Sequence, residues 1–149
     1  MPNATAATYD GITDTFHTKL RVAHVDFTPS VALAASENVR IAKLPPGRVI
    51  IHPRLSFMTI GAFGSGRTLD IGYEATVTPD GTAIAASDDT IDDGRDVSSG
   101  AADYLGDGTN GADQIVLETR DGLNILAKVL GNTWPITANI AGEIVYSVE

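Results

Sequence analysis

A glycine-rich stretch in the middle of the chain comes close to the pattern of a phosphate-binding loop. The segment Gly61–Thr68 (GAFGSGRT) follows an apolar, β-like run and has the glycine spacing of such a loop. Arg67 stands where the loop needs a lysine, and a planar guanidinium does not replace a compact ammonium there. The next residues alternate with period 2 up to Tyr73, so no helix N-terminus is available to hold a phosphate. The pattern favours a flexible hairpin loop over a nucleotide site.

A second candidate for chemistry is an acidic stretch that could supply oxygen ligands to calcium. Its carboxylates are those of Asp88, Asp89, Asp92, Asp93 and Asp96. The helix–loop–helix calcium pattern fails because Ile91 occupies a ligand position. The nearby segment Gly106–Asp113 is a single copy of a glycine- and aspartate-rich repeat, and one copy cannot build a calcium solenoid. We therefore expect no bound metal, and a solvated acidic loop that could contact a basic partner.

The other reactive side chains are few and scattered. His17, His24 and His52 are the only histidines, and their spacing favours structural roles over metal binding or general-base catalysis. The chain has no cysteine, and Ser65 lacks the glycine two residues before it that a nucleophile elbow requires. Trp134 could stack on a sugar, although a lone tryptophan more often plugs a core or an interface. We expect a protein that is not an enzyme and has no cofactor.

The net charge of −9 is concentrated in one part of the chain. Residues 80–121 contain eleven acidic and two basic residues, so the remainder is neutral overall. A nucleic-acid-binding protein would present a positive face, so nucleic acid is not an expected partner. No apolar run approaches the roughly 18 residues of a membrane span, and no secretory signal is visible.

Alternating apolar residues and turn residues predict that an all-β domain carries these candidates. Strands are predicted at Phe16–Phe27, Val39–Leu44, Arg48–Ile60, Thr68–Tyr73, Gln114–Glu118, Leu123–Leu130 and Ile136–Val148. A phase slip near Ala23-His24 indicates a bulge, and Pro53 indicates an edge or bulged strand. Pro45-Pro46-Gly47 predicts a turn, Asp121-Gly122 predicts a hairpin, and the final strand is expected to be central.

The predicted architecture is an antiparallel β-sandwich or jelly roll with two additions. Residues 16–149 form one domain, and within it residues 79–113 form a loop-rich acidic insert in which only Ser98–Leu105 has a helical composition. Residues 1–15 form an extended N-terminal arm, too poor in apolar residues to build a core. We expect the arm to lie along its own sheet or a neighbouring molecule. Its expected contact residues are Tyr9, Asp10, Ile12 and Phe16.

The order of these features resembles the small head decoration (cement) proteins of tailed bacteriophages. The resemblance covers most of the chain and rests on the Tyr9-Asp10-Gly11 element of the arm, the Leu44-Pro45-Pro46-Gly47 turn between strands, and the strand Thr68–Gly72. It implies a β-sandwich or jelly roll that binds the major capsid protein on the capsid exterior, often as a dimer or trimer, and stabilises the shell. It carries no catalytic residues, and it implies synthesis in the cytoplasm of a bacterial host.

One alternative function remains open at this point. A β-sandwich of this size could also be a carbohydrate- or receptor-binding module of a phage tail appendage. That function would need an exposed aromatic platform, and aromatic residues make up only 6% of the chain. The accessibility of Trp134 and of the other aromatic side chains therefore distinguishes the two hypotheses.

Overall fold

The computed structural model describes residues 19–106 and 114–149, and strands dominate both ranges. The described residues form twelve strands and one short 3-10 helix, Pro53–Leu55. The strands are β1 (Arg21–Phe27), β2 (Asn38–Leu44), β3 (Gly47–Ile51), β4 (Phe57–Ile60), β5 (Thr68–Tyr73), β6 (Thr76–Val77), β7 (Ala83–Ile84), β8 (Ser87–Asp96), β9 (Ala101–Tyr104), β10 (Ile115–Thr119), β11 (Leu123–Leu130) and β12 (Ile140–Val148). Their pairings are all antiparallel.

The strands assemble into two main sheets, and β6 and β7 form a small separate ribbon. In the first sheet, β12 pairs with β1 on one side, and with β3 and β4 in succession on the other. β10 and β9 extend this sheet beyond β3 and β4. The second sheet has the order β2-β11-β5-β8. β3 and β4 lie end to end beside β12, and β10 and β9 lie end to end beyond them. Each sheet is therefore four strands wide.

This arrangement is a jelly roll and confirms the predicted antiparallel β-sandwich. The chain changes sheet between β1 and β2, β2 and β3, β4 and β5, β8 and β9, β10 and β11, and β11 and β12. Such repeated crossing interleaves two Greek keys and places β1 beside β12. The turn predicted at Pro45-Pro46-Gly47 is present, and it joins strands of different sheets. The Asp121-Gly122 turn also joins different sheets, so the predicted hairpin there is wrong.

The predicted long strand Arg48–Ile60 is interrupted at Pro53. The missing donor and fixed φ of this proline favour the 3-10 helix that separates β3 from β4. Ser56 bridges the interruption, because its hydroxyl accepts a hydrogen bond from the Val145 amide at 2.8 Å and donates one to the His52 carbonyl at 2.9 Å. The interruption also reverses the side-chain direction. In the sequence, Leu55 and Phe57 share the parity of Val49 and Ile51; the latter two are buried, whereas Leu55 and Phe57 are 52% and 40% exposed.

The bulge predicted in the first strand is absent. β1 pairs with β12 in seven consecutive steps, from Arg21 opposite Tyr146 to Phe27 opposite Ile140. Val25 is buried in the core, whereas Leu20 and Val22 are exposed. The apparent phase slip therefore reflects a strand that carries apolar residues on both faces. The part of the predicted strand before Lys19 lies outside the described residues.

The predicted loop-rich insert is largely strand. The acidic stretch forms the ten-residue strand β8, which pairs with β5, and the segment of helical composition contains strand β9. β8 forms because Ile91 is fully buried in the core and because the neighbouring strand β5 pairs with it from Thr68 to Tyr73, with two register shifts. Residues 107–113 of the predicted insert lie outside the described residues.

One apolar core fills the space between the two sheets. The alternation expected for the central strand β12 is present, with Ile140, Ile144 and Tyr146 buried. β5 was expected to be half-buried, but Asp70 and Gly72 on its outer side are also covered. The reason is that the backbone of Ser87 and Asp88 lies directly against Gly72, where an added β carbon would collide with it. The largest fully buried side chains include Trp134, Phe63, Leu44, Ile51, Met58 and Leu69.

Candidate interaction surface

The glycine-rich segment Gly61–Thr68 connects β4 of the first sheet to β5 of the second. As the alternation predicted, a strand and not a helix follows it. Phe63 is buried in the core, which fixes the loop from within. The Arg67 guanidinium donates hydrogen bonds to the carbonyl oxygen of Phe63 and to that of Thr133, the latter at 2.7 Å. Arg67 therefore fastens this loop to the loop between β11 and β12.

The five acidic residues expected to form a contact loop have different environments along β8. Asp92 is fully buried, so its carboxylate cannot contact a partner. Asp88 pairs with Lys128 at 2.8 Å, and this carboxylate raises the pKa of the lysine. Asp96 is exposed and accepts a hydrogen bond from the Ser98 amide, which lowers its pKa. Asp89 is exposed and Asp93 is partly exposed. For these four, a partner contact remains a prediction.

Asp92 forms a buried ion pair that joins the edges of the two sheets. The Arg95 guanidinium donates from Nε to Asp92 Oδ2 at 2.6 Å and from Nη2 to Oδ1 at 3.2 Å. Asp92 Oδ1 also accepts the Gly106 amide at 3.0 Å, and Arg95 Nη2 reaches the Tyr104 carbonyl oxygen at 2.6 Å. Because Tyr104 belongs to β9 of the first sheet, the pair connects it to β8 of the second. We call this arrangement the edge clasp.

A second buried carboxylate, that of Asp70, lies on the outer side of β5. Burial raises the pKa of Asp70, and the nearby charges of Asp93 and Asp89 add to the increase. The Gly94 amide, which donates to Asp70 Oδ1 at 2.8 Å, and the Lys128 ammonium act in the opposite direction. The folded protein therefore binds the Asp70 proton more tightly than the unfolded chain does.

This raised pKa predicts a pH-dependent effect of replacing Asp70 by asparagine. The stability that Asp70 contributes is fully present below the pKa of the unfolded chain and is lost as the pH rises through the folded pKa. Asp70→Asn removes the buried charge and keeps an oxygen acceptor for Gly94. We expect a higher melting temperature than wild type at pH 7, and a difference that shrinks in acid. Thermal unfolding across pH measures it, with exposed Asp26→Asn on β1 as the control. A variant less stable than wild type at pH 7 would contradict this account.

No group of three histidine or acidic side chains within residues 19–106 and 114–149 could hold a metal ion. His24 lies on the surface with its ring 3.6 Å from Glu143, and His52 contacts the Ser147 hydroxyl at 3.3 Å. His17 lies outside the described residues. In the same ranges, no helix is long and apolar enough to cross a membrane.

The single tryptophan is a core residue. Trp134 is 1% exposed, packs edge-on against Phe27 with ring centroids 5.2 Å apart, and lies at the same distance from the Phe63 ring. Its indole N–H donates to the Ala138 carbonyl at 2.8 Å. The plug expected from the sequence is therefore present, and this side chain offers no platform to a sugar.

The outer face of the first sheet and the residues beside it carry most of the large hydrophobic side chains that are exposed. Of the eight large hydrophobic side chains that are exposed among the described residues, four belong to strands of this sheet, and Leu20 and Leu55 lie directly beside those strands. We call these six side chains the apolar face: Leu20, Val22, Leu55, Phe57, Tyr104 and Val116. Phe57 and Tyr104 are opposite each other on β4 and β9 and pack edge-to-face, with centroids 5.2 Å apart. A clustered apolar face of this kind marks an interaction surface more often than scattered exposed residues do.

The second sheet differs in character. Its outer side carries ion pairs, such as Arg40 with Glu74 at 2.7 Å and Lys128 with Asp88. Glu74 also accepts a hydrogen bond from Asn124, and these contacts lower its pKa. The exposed large apolar side chains therefore lie mainly on or beside the first sheet, which also carries the His24–Glu143 and Arg48–Glu149 contacts. The apolar face ends at β9. The edge clasp connects β9 to the acidic strand β8, so the two lie side by side.

Alternation did not reveal the apolar face, because within the predicted strand Leu55 and Phe57 share the parity of the buried residues Val49 and Ile51. The proline itself was the available signal for a change of phase. The expected arm contacts Tyr9, Asp10, Ile12 and Phe16 lie outside the described residues.

Comparison with solved structures identifies a shared fold. A chain of the cyanophage Pam1 capsid asymmetric unit aligns with 90% of this chain and 88% of its own length, at a TM-score of 0.52 and 14% sequence identity. A chain of infectious bursal disease virus, Gx strain, aligns with 87% of this chain at a TM-score of 0.45 and 12% identity, and 32% of that chain is covered. Neither a protein-family model nor a curated protein matches the sequence. The protein therefore has a viral capsid-like β-sandwich fold.

Proposed function

We propose that the protein is a non-enzymatic structural component of a bacteriophage virion. In this proposal it decorates the exterior of the assembled capsid, binds the major capsid protein and stabilises the shell. The observation that carries the proposal is the likeness to the cyanophage capsid chain, which extends over about nine-tenths of both chains. The alignment therefore spans most of the fold of both chains and is not limited to one sheet.

The internal use of the reactive groups supports a structural role. The Arg67 guanidinium holds two loop carbonyls, and Asp92 and Arg95 hold two sheet edges together. Trp134 is in the core. The side chains that could have served catalysis or sugar binding thus stabilise the sandwich. The exposed aromatic residues Phe57 and Tyr104 pack edge-to-face, and they are the pair that the sugar-binding alternative would have to use.

The apolar face is the surface that we assign to the capsid. Aromatic side chains at the centre of an interface commonly contribute most of the binding free energy. Tyr104 and Phe57 fit that role, with Leu55 on the adjoining 3-10 helix. The acidic side chains of β8 adjoin this aromatic pair, so a basic patch on the capsid could orient the contact. We further propose that residues 1–15 add contacts of their own, through Tyr9, Asp10, Ile12 and Phe16.

Co-sedimentation of the purified protein with undecorated capsids tests this function. We expect the wild-type protein to bind, and Tyr104→Ala to weaken binding by about tenfold or more, because an aromatic anchor is removed. Val31→Ala, which changes an exposed side chain outside the first sheet, serves as the matched control and should bind like wild type. Absence of wild-type binding would refute the decoration function, and a glycan array would then test the tail-appendage alternative.

The same assay separates the contribution of the arm from that of the apolar face. Deleting residues 2–15 should weaken capsid attachment while leaving the melting temperature of the sandwich unchanged. If the deletion unfolds the protein, these residues belong to the domain core and the assignment of arm contacts is wrong.

A further inference from the structure

The four outer positions of the two sheets differ in how well they are protected against pairing with another strand. Among the described residues, β1, β2 and β8 each pair with one strand, and β9 and β10 share the remaining outer position. Exposed sheet edges are templates for strand addition, and proteins usually protect them with charges, bulges or short strands. We propose that β1 is the edge through which two copies of this protein associate, by antiparallel pairing that joins their first sheets.

The regularity of β1 is the first argument. Its seven pairs with β12 follow one another without a shift. β8 shifts register twice against β5, and β2 meets an irregularity opposite Ile125. β9 and β10 contain only four and five residues. A regular strand of seven residues presents evenly spaced backbone donors and acceptors, which is what a second strand needs for a continuous ladder.

Charge is the second argument, and it favours a second copy of this chain as the partner of β1. β1 contains one basic and one acidic residue, Arg21 and Asp26, so the strand is neutral when His24 is neutral. β8 carries five aspartates and one arginine, and β2 carries an arginine and a lysine. A protein of net charge −9 can meet its own copy only where like charges are absent. Pairing through β1 also keeps the acidic strand β8 on the far side of each sandwich.

Apolar side chains next to this edge provide the third argument. Val22 is 43% exposed and lies beside Val145 of β12, and Leu20 precedes it on the same face with 59% exposure. A two-fold axis at Val22 would bring this valine against its counterpart and Leu20 opposite His24 of the second copy, and would make the two apolar faces continuous. A larger, two-copy apolar face could then meet a repeating surface. Self-association does not depend on the decoration function, since it is measured without capsids.

Sedimentation velocity over a range of protein concentrations tests this inference. We expect the wild-type protein to form a dimer, and Val22→Lys to weaken the dimer by at least about tenfold, because an edge lysine is unfavourable against a second strand. Val31→Lys makes the same substitution at an exposed side chain away from β1 and should leave the dimer unchanged. Circular dichroism confirms that each variant is folded.

Cysteine cross-linking locates the contact independently of affinity. The chain contains no cysteine, so any disulfide between copies must form through the introduced cysteine. Neighbouring antiparallel strands bring Cα atoms to about 4.5–5.5 Å, which a disulfide can span. In a symmetric antiparallel pair only the residue at the two-fold axis faces its own copy. With the axis at Val22, we expect oxidation to link copies of Val22→Cys, but not of Val31→Cys.

Three outcomes would overturn the proposal. The first is a wild-type protein that stays monomeric, including the case in which only the form lacking residues 2–15 dimerises. The second is a dimer that Val22→Lys leaves intact. The third is a monomer whose capsid binding is lost in Val22→Lys, which would make the capsid protein the occupant of this edge.

Discussion

Replacing Asp92 by alanine is expected to lower the free energy of unfolding by about 3–5 kcal/mol, the usual cost of removing one partner from a buried ion pair. The Asp92 side chain is fully buried and that of Arg95 is 12% exposed. Without Asp92, the guanidinium keeps the Tyr104 carbonyl and a longer contact of 3.7 Å to Asp103. The Gly106 amide also loses its acceptor.

Urea unfolding followed by Trp134 fluorescence measures this loss, because the only tryptophan of the chain is buried in the folded protein. Asp89→Ala provides the matched control on the same strand. Its exposed carboxylate should change stability by no more than about 0.5 kcal/mol. If both variants lose the same amount, the edge clasp does not stabilise the sandwich.

A double-mutant cycle separates the pair from its surroundings. Arg95→Met should be destabilising alone, since it leaves Asp92 buried without its counter-charge. Combined with Asp92→Leu, it should cost less than the sum of the single changes, because two apolar side chains restore a neutral interior. Additive losses would mean that the two residues act independently.

The second large effect is expected at Trp134. Trp134→Ala should lower the free energy of unfolding by about 3–5 kcal/mol, because it leaves a cavity between the rings of Phe27 and Phe63. It also removes the indole donor to the Ala138 carbonyl. The backbone bridge between Trp134 and Leu33 links the two loops that flank β1, β2, β11 and β12, so the loss should extend to this end of the sandwich.

Far-UV circular dichroism during thermal unfolding measures this change, since the variant has no tryptophan to report by fluorescence. Trp134→Phe retains an aromatic ring but not the hydrogen bond, and should lie between alanine and wild type. Ile136→Ala, two residues further on and 52% exposed, is the control and should be nearly neutral. A Trp134→Ala protein as stable as this control would contradict the core role.

The fold class could be predicted because alternation is a local property. The parity of β12, the strand after the glycine-rich loop and the turns at Pro45 and Gly122 all follow from short-range preferences. The assignment of strands to sheets could not be predicted in this way. A turn such as Asp121-Gly122 reverses the chain equally well within one sheet or between two, and only packing decides between them.

The candidate site shows the same division. The composition of β8 favours a loop. It is nevertheless a strand, because Ile91 is buried in the core and β5 pairs with it. That pairing buries Asp92, which nothing in the local sequence distinguishes from exposed Asp89. The apolar face was hidden for a related reason, because Pro53 changes the phase of the side chains on either side of it.

The pairing of β1 with β12 has a consequence for how the molecule is made. Arg21 of β1 lies opposite Tyr146 of β12. The first sheet therefore cannot form fully until almost the whole described chain has been synthesised. Contacts so distant in sequence give a high contact order and slow folding. During synthesis, β1 and its valines must wait for β12. The strands of the second sheet, including β5 and β11, are synthesised before that partner is available. The nascent chain is therefore most prone to misassociation through β1, which among the described residues pairs with β12 alone.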